Sequence, residues 1–299
     1  MKNLSIVIPV YNNSDTLLKL TKDIFKVLSK INLKNFEVVF VDDFSKDNSL
    51  KILLSIKKKF KKIKILKNFK NKGQLASMLG GLKNSIAKNY IVMSADLQDD
   101  PSHIKSHILR LKTNKIVLAC RKNLVGNLFT KFTSLIHYKI MRTEIKNFPK
   151  YGLDFFSFRK EIRDILINNI ENIEYLTLSV VNLSNNYKTA SFSYEKKERP
   201  YGKSQYTFLK RIGIHFKIAS SIGFFKKIFW YFSFLLASLF ILWGAYIFYN
   251  FITNPSPVYT GWRSIILLLI LFNSIILIKL NIIDETLNKM IKKKDFNKK

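Results

Sequence analysis

The sequence predicts an α/β domain on a mostly parallel sheet, followed further along the chain by a membrane anchor. Three observations carry that expectation. Short β-branched runs alternate with amphipathic stretches over the first two thirds of the chain. Those runs are continuously apolar, the pattern of strands covered by helices on both faces. Beyond them, Ile228 to Trp262 contains no formally charged residue.

Taken in order, Leu4–Val10, Phe36–Val41, Ile63–Leu66, Tyr90–Ala95 and Ile116–Ala119 read as strands. Between them, Asp15–Lys30, Asp47–Phe60, Gln74–Lys88, Pro101–Leu111 and Asn127–Met141 read as amphipathic helices. Pro9 closes the first strand, and Ser14 or Asp15 suits the cap of the helix that follows. No internal repeat interrupts the alternation. In such a sheet, functional residues belong at the carboxyl ends of strands.

The anchor is read from length. Ile228 to Ile252 is a 25-residue apolar run, long enough to cross a hydrocarbon layer of ~30 Å. Ser264 to Ile278 is shorter and extends to Ile283 if Lys279 snorkels to the interface. The Pro- and Gly-containing stretch between them reads as a turn, so the two runs form a transmembrane hairpin. Lys210, Arg211, Lys217, Lys226 and Lys227 precede it, and Lys279, Lys289, Lys292, Lys293, Lys294, Lys298 and Lys299 follow. By the positive-inside rule both ends face the cytoplasm. The expected organisation is a catalytic domain over 1–200, interfacial amphipathic helices over 201–227, a hairpin over 228–283 (spans about 228–252 and 263–283) and a basic tail over 284–299. The opening MKNLSIVIPVYNN is too short in apolar residues to read as a secretory signal.

With 51 Lys+Arg against 20 Asp+Glu, the formal net charge is +31. Hydrophobic residues at 47% exclude an intrinsically disordered polymer. The basic excess points to nucleic acid or an anionic membrane. Its distribution favours the membrane: Glu195 to Lys227 holds nine Lys/Arg against two Glu, interleaved with Phe208, Leu209, Ile212, Ile214, Phe216, Ile218 and Ile222. No nucleic-acid motif appears. The single cysteine, Cys120, forms no intramolecular disulfide and reads as a small buried hydrophobe.

Chemistry concentrates at strand ends. The first strand runs into Tyr11-Asn12-Asn13, and the second ends in Asp42-Asp43. Adjacent carboxylates repel unless donors or a cation hold them, so this pair suits a ribose, base or metal site, and equally Asx-turn and cap duty. The fourth strand leads into Ser94-Ala95-Asp96-Leu97-Gln98-Asp99-Asp100-Pro101. Asp96 and Gln98, two apart, can share one hard divalent cation whose shell phosphates complete. Asp99 and Asp100 before Pro101 read as helix caps. His103 and His107 read as a solvated helix face, with no third ligand for zinc. Neither a phosphate-cradling glycine loop nor a hydrolase triad is present.

SIVIPVYNN, VVFVDDFSKDNSL, NKGQLASMLGGL and SADLQDDP, in that order, resemble the family 2 glycosyltransferases. The chain is similar in particular to the polyprenyl-phosphate sugar transferases, the group of dolichol-phosphate mannose synthase and its bacterial undecaprenyl-phosphate relatives. The likeness continues through Cys120-Arg121-Lys122, Tyr151–Phe156 and Arg199–Tyr206 to the hairpin and basic tail. It implies a GT-A fold binding a nucleoside-diphosphate sugar and Mg²⁺ or Mn²⁺.

The resemblance also implies residue roles. Pro9, Tyr11, Asn13 and Asp43 line the nucleotide pocket, with Asp42, Ser94 and Ala95 beside them. Asp96 and Gln98 hold the metal. Arg121 meets a phosphate, Asp154 lies at the reacting centre, and Arg199, Lys203 and Ser204 sit on a loop near the lipid phosphate. Two positions depart from the family pattern: Ser94 stands where its metal motif usually begins with Asp, and Asn13 stands for an acid.

The implied activity is inverting transfer of a sugar to undecaprenyl or dolichyl phosphate at a bacterial inner membrane, with a homo-oligomer left open and no nucleic-acid partner. Alternatives are another lipid acceptor, such as diacylglycerol, or an inactive membrane scaffold.

Overall fold

In the computed structural model, the structure describes residues 2–198, residues 224–253 and scattered residues between 268 and 283. The chain divides into two compact units, Met1–Thr207 and Phe208–Lys299.

The first unit is built on a seven-stranded sheet in the order β3-β2-β1-β4-β6-β5-β7. Its elements are β1 (Lys2–Val10), α1 (Ser14–Lys30), β2 (Phe36–Asp42), α2 (Ser49–Lys59), β3 (Ile63–Lys67), α3 (Gln74–Lys83), β4 (Ala87–Val92), α4 (Ile104–Leu111), β5 (Ile116–Arg121), α5 (Leu128–Glu144), β6 (Phe155–Arg159), α6 (Lys160–Asn168), α7 (Leu176–Ser184) and β7 (Thr189–Tyr194). Pairing is parallel except at β6, which runs antiparallel to both β4 and β5. The mostly parallel sheet is therefore as expected. However, β6 and β7 lie beyond the strands read from sequence, and β6 separates β4 from β5.

Alternation along β1 divides the core. Leu4, Ile6, Ile8 and Val10 pack with Leu17, Leu20, Ile24 and Leu28 of α1, Leu53 and Ile56 of α2, and Ile104 of α4. On the opposite face α3 crosses β1 and β2, and α6 packs on β4 and β6. The α3 crossing requires a glycine: a Cβ on Gly81 would stand 2.4 Å from Val7 Cγ1. With helices on both faces, β1 is buried continuously from Leu4 to Ile8, which is why its sequence shows no polar alternation.

Several local expectations are corrected. The cap of α1 is Asn13, and its side chain makes no capping bond. β4 ends at Val92, so the acidic segment leaves the sheet earlier than the apolar run suggested. His107 is not on a solvated face: it is fully buried, with Nδ1 2.7 Å from Ser157 Oγ and its ring against Phe155 and Phe192. Ile104, His107 and Leu111 form the buried stripe of α4, so this histidine takes an apolar position. Cys120 is half-buried, and burial pushes its thiol pKa up.

In the second unit, α8 (Phe224–Thr253) contains Ile228–Asn250, long and apolar enough to cross a membrane by length and composition. Its apolar side chains, Tyr231, Leu242 and Phe248 among them, are exposed. Its polar groups turn inward: Ser233 Oγ donates to Phe229 O at 2.7 Å and Thr253 Oγ1 to Tyr249 O at 3.0 Å. Self-satisfied polar groups are what a hydrocarbon surrounding demands. Among the described residues this is the one helix of that length, and Leu271–Leu280 is a shorter apolar helix. The expected interfacial helices over 201–227 lie almost wholly outside the described residues.

The buried His107 should make the domain acid-sensitive. Burial lowers its pKa from 6.5 to about 3, so the unfolded chain takes up a proton that the native site refuses. This contribution is present above the unfolded pKa and is lost as pH falls from 6.5 toward 3. Going down two pH units should cost about 3 kcal/mol. Denaturant titrations of a His107→Gln variant should show a flatter pH dependence over that window than wild type; identical slopes would contradict the assignment.

Candidate active site

At the carboxyl edge of the sheet, the tips of β1, β2, β4, β5 and β7 bring their loops together. The first two loops are laced to each other. Asn12 Oδ1 accepts Lys46 N–H at 2.8 Å, Asn13 N–H donates to Ser49 Oγ at 2.8 Å, and Ser14 N–H donates to Asp47 Oδ2 at 3.0 Å. Asn12 and Phe44 adopt positive φ, so these turns hold strained backbone through their cross-links. Asn13 Oδ1 accepts Tyr11 N–H at 3.1 Å, which leaves this expected nucleotide residue shaping the turn as well.

The paired acids separate in role. Asp43 is buried, and its oxygens accept Lys72 N–H at 2.9 Å, Asn68 Nδ2 at 2.8 Å and Gly73 N–H at 2.7 Å. It fixes the loop from β3 to α3. Asp42 is also buried, yet its Oδ1 has no hydrogen-bond partner among the described residues, and its Oδ2 accepts only a long bond of 3.4 Å from Ser45 N–H. A bare buried carboxylate oxygen is costly unless a ligand meets it. Of the pair, Asp42 is thus the one with binding capacity to spare.

The β4 tip forms a tight turn. Leu97 has φ of 61°, and the backbone N–H of Gln98 donates to Asp96 Oδ1 at 3.2 Å, which closes the turn. Ala95, expected beside the nucleotide, gives its carbonyl to Thr16 Oγ1 at 2.6 Å and ties the turn to α1. Gln98 Nε2 donates to Lys197 O at 3.2 Å, and Gln98 O accepts Lys197 N–H at 3.1 Å.

Asp99 and Asp100, both read as caps, divide. Asp100 caps the 3₁₀ turn Pro101–His103 by accepting Ser102 N–H at 2.9 Å. Burial acts to raise its pKa, but bonds from Lys197 and Ser102 prevail and hold it at about 2. Asp99, only 1% exposed, instead accepts Ser94 Oγ at 2.7 Å and Tyr194 OH at 2.5 Å. Ser94, where the family pattern has an acid, is thus a donor to a buried acid. Burial and the Asp99 carboxylate push the Tyr194 pKa far up, so the phenol remains a donor.

Arg121 ends β5 in register with Tyr194. Its guanidinium pairs with Asp154 and donates to Tyr138 OH at 3.1 Å. Lys196 Nζ reaches the same Asp154 oxygen at 2.7 Å. The two cations are nearly buried, whereas the acid side chain they share is 43% exposed. Burial, then the neighbouring Arg121 charge, lowers the Lys196 pKa. Tyr138 lies against Gly152, where a Cβ would fall 2.6 Å from its ring. Arg121 and Asp154 are expected from the sequence, whereas Lys196, Tyr138 and Tyr194 carry no local signal that singles them out. Arg199, Lys203 and Ser204 lie outside the described residues.

Among the described residues no three His, Cys, Asp or Glu side chains gather to hold a metal. The donor set at the β4 tip, Asp96 with Gln98, fits a hard divalent cation that takes its remaining ligands from phosphate oxygens and water.

The family model described as "Glycosyl transferase family 2" matches residues 5–166, more than half the chain. The chain belongs to glycosyl transferase family 2. Undecaprenyl-phosphate 4-deoxy-4-formamido-L-arabinose transferase from Pectobacterium atrosepticum is 29% identical over 228 residues, covering 74% of this chain and 68% of that protein. The enzyme of the same name from Salmonella choleraesuis is 26% identical over the same length. Glucosyl-3-phosphoglycerate synthase from Mycobacterium tuberculosis superposes with a TM-score of 0.50 at 12% identity, covering 74% of this chain and 81% of that one. That likeness concerns the fold alone, a GT-A-like α/β sheet. In this glycosyltransferase the family match takes in the strand tips from Pro9 to Asp154, while Lys196 lies beyond it.

The Asp99 link should be asymmetric on mutation. Ser94→Ala removes one of two donors and should cost about 1 kcal/mol. Asp99→Asn strips the counter-charge from beneath Arg121 and Lys196 and should cost roughly 3 kcal/mol. Equal costs in chemical denaturation would show that Asp99 does not carry this charge balance.

Proposed function

We propose that this glycosyltransferase moves a sugar from a nucleoside-diphosphate sugar to a polyprenyl phosphate at a membrane surface, with inversion at the anomeric carbon. The observation that carries the reading is the pair of nearly buried cations, Arg121 and Lys196, held on one exposed carboxylate beside the Asp96–Gln98 turn. Two preformed cations suit a reaction whose substrates both bring phosphate. The curated relatives, named for undecaprenyl phosphate, support the acceptor class, and α8 supports a membrane setting. Residues 1–200 then form the catalytic domain, with the anchor beyond it and the termini cytoplasmic.

A lipid phosphate is ionised near neutral pH, so its oxygen attacks the anomeric carbon without a dedicated base. The task left to the protein is to bring two polyanions together. Asp42, with its bare buried oxygen, and the laced turn at Tyr11 and Asn13 receive the nucleoside; Pro9 and Ala95 shape the backbone on either side. Asp96 and Gln98 would hold Mg²⁺ or Mn²⁺, which when bound neutralises charge building on the departing diphosphate. Arg121 and Lys196 bind phosphate as Asp154 gives them up. Asp154 thus serves as a placeholder anion that keeps both side chains extended before substrate arrives. Arg199, Lys203 and Ser204 are assigned to the acceptor phosphate by the family likeness.

Asp96→Ala should lower kcat on the order of 10³-fold and leave membrane insertion intact; near-normal turnover refutes the metal assignment. Lys196→Ala should lower kcat/KM roughly 10–100-fold, with recovery in Lys196→Arg. The activity itself is tested by supplying radiolabelled nucleotide sugars with undecaprenyl phosphate. A mild-acid-labile lipid product is expected. An acid-stable product would point to another lipid acceptor and contradict the proposal.

A further inference from the structure

At the amino edge of the sheet, opposite the strand tips, the ends of α1 and α2 and the turns into β2 and β3 enclose a pit of about 420 Å³. Its floor is aromatic: Phe25 lies edge-on to Phe36 with ring centroids 5.3 Å apart, and against Phe60 at 4.5 Å. Phe36 is buried, whereas Phe25 and Phe60 are only half-buried. Lys62 ties the two turns together, its Nζ donating to Lys34 O at 2.5 Å and standing 4.4 Å from the Phe36 ring centroid. The length of β2 puts roughly 20 Å between this pit and Asp42, at 3.3 Å per residue.

Charge identifies the partner. Lys34, Lys59, Lys61 and Lys62 also line the pit; all are exposed, and none is in an ion pair among the described residues. The sequence has no acidic residue from Asn48 to Ala95, and six of the eight residues of KKKFKKIK (57–64) are lysine. Lysine in the last turn of α2 offsets its dipole, and lysine on β3 guards an edge strand. Neither role brings Lys34 and Lys61 from separate turns onto one aromatic cavity. A cationic rim complements carboxylates, and an uncovered aromatic floor complements an apolar anchor between them. The rings line a concavity instead of standing out, so they offer no platform for stacking bases and no protrusion to bury in a bilayer.

We propose that this pit docks an acidic segment of a partner protein, which seats one apolar side chain against Phe25 and Phe60 while the lysines meet the carboxylates on either side. The inference goes beyond the transfer reaction. It gives the catalytic unit a recruitment site on the edge opposite its strand tips, where an attached partner leaves those tips uncovered.

The test uses the full chain in phosphatidylcholine nanodiscs and the fluorescein-labelled peptide Asp-Glu-Asp-Trp-Asp-Glu-Asp, with binding read by fluorescence anisotropy. Saturable binding is expected, weakened on the order of tenfold when serine replaces the peptide's tryptophan. Ser29 lines the pit and is exposed, so Ser29→Trp should fill the cavity without altering charge and bring the tryptophan peptide down to the level of the serine peptide. Lys59→Glu with Lys61→Glu should weaken binding on the order of tenfold, while the charge-matched pair Lys131→Glu with Lys139→Glu on α5 should bind as wild type does. No saturable binding, equal binding of the two peptides, or equal loss in the two charge-reversed variants overturns the proposal. Tighter binding of oligouridylate, or of phosphatidylglycerol vesicles, in competition with the peptide would assign the pit to another class of partner and overturn it too. Because binding is read without turnover, its absence leaves the transferase reading standing, and absence of transfer leaves the docking site standing.

Discussion

The carboxyl edge of the sheet depends on a charge balance away from bulk water. Arg121 and Lys196 are nearly buried, and each would be prohibitively costly alone. Asp154 answers them from the solvent side, and Asp99 from beneath through Tyr194. The strands of the second half are arranged to make this possible. β7 lies parallel to β5, so Tyr194 stands opposite Arg121, and the chain leaving β7 delivers Lys196. Asn123 closes the arrangement, its Oδ1 accepting Lys196 N–H at 2.8 Å and its Nδ2 donating to Lys196 O at 3.0 Å.

The first half of the fold was legible because doubly covered parallel strands are mostly apolar, as β1, β2 and β5 are. The two strands that complete the sheet were not. β6 is five residues of mainly aromatic character without alternation, and β7 is a short edge strand reading TASFSY, whose period-2 alternation is carried by only Ala190, Phe192 and Tyr194. The polarity of His107 predicts exposure, but Ile104 and Leu111 on the same stripe of α4 place it in the core. In α5 the amphipathic pattern was visible in sequence, but no local feature says which side faces the protein.

The site was legible where local chemistry is unusual: adjacent acids, and an acid with a glutamine two residues on. It was not legible where function arises from tertiary meeting. Lys196 belongs to a lysine-rich stretch and differs from its neighbours only in reaching Asp154. Asp99 looked like a cap beside proline, and only the approach of β7 shows that it turns inward. The substitution of Ser94 for an acid is explained by the same contact, since a hydroxyl gives Asp99 a donor where a carboxylate would give it a repelling neighbour in the absence of a cation.

The proposed transfer would need a cation held by few protein oxygens and completed by phosphate. Electron–nuclear double resonance on Mn²⁺ bound to the full chain, with the nucleoside diphosphate that best inhibits turnover, reads that shell directly. A ³¹P coupling that disappears in Asp96→Ala is the expected result. Mn²⁺ bound without ³¹P coupling, or a coupling indifferent to Asp96, would contradict the account.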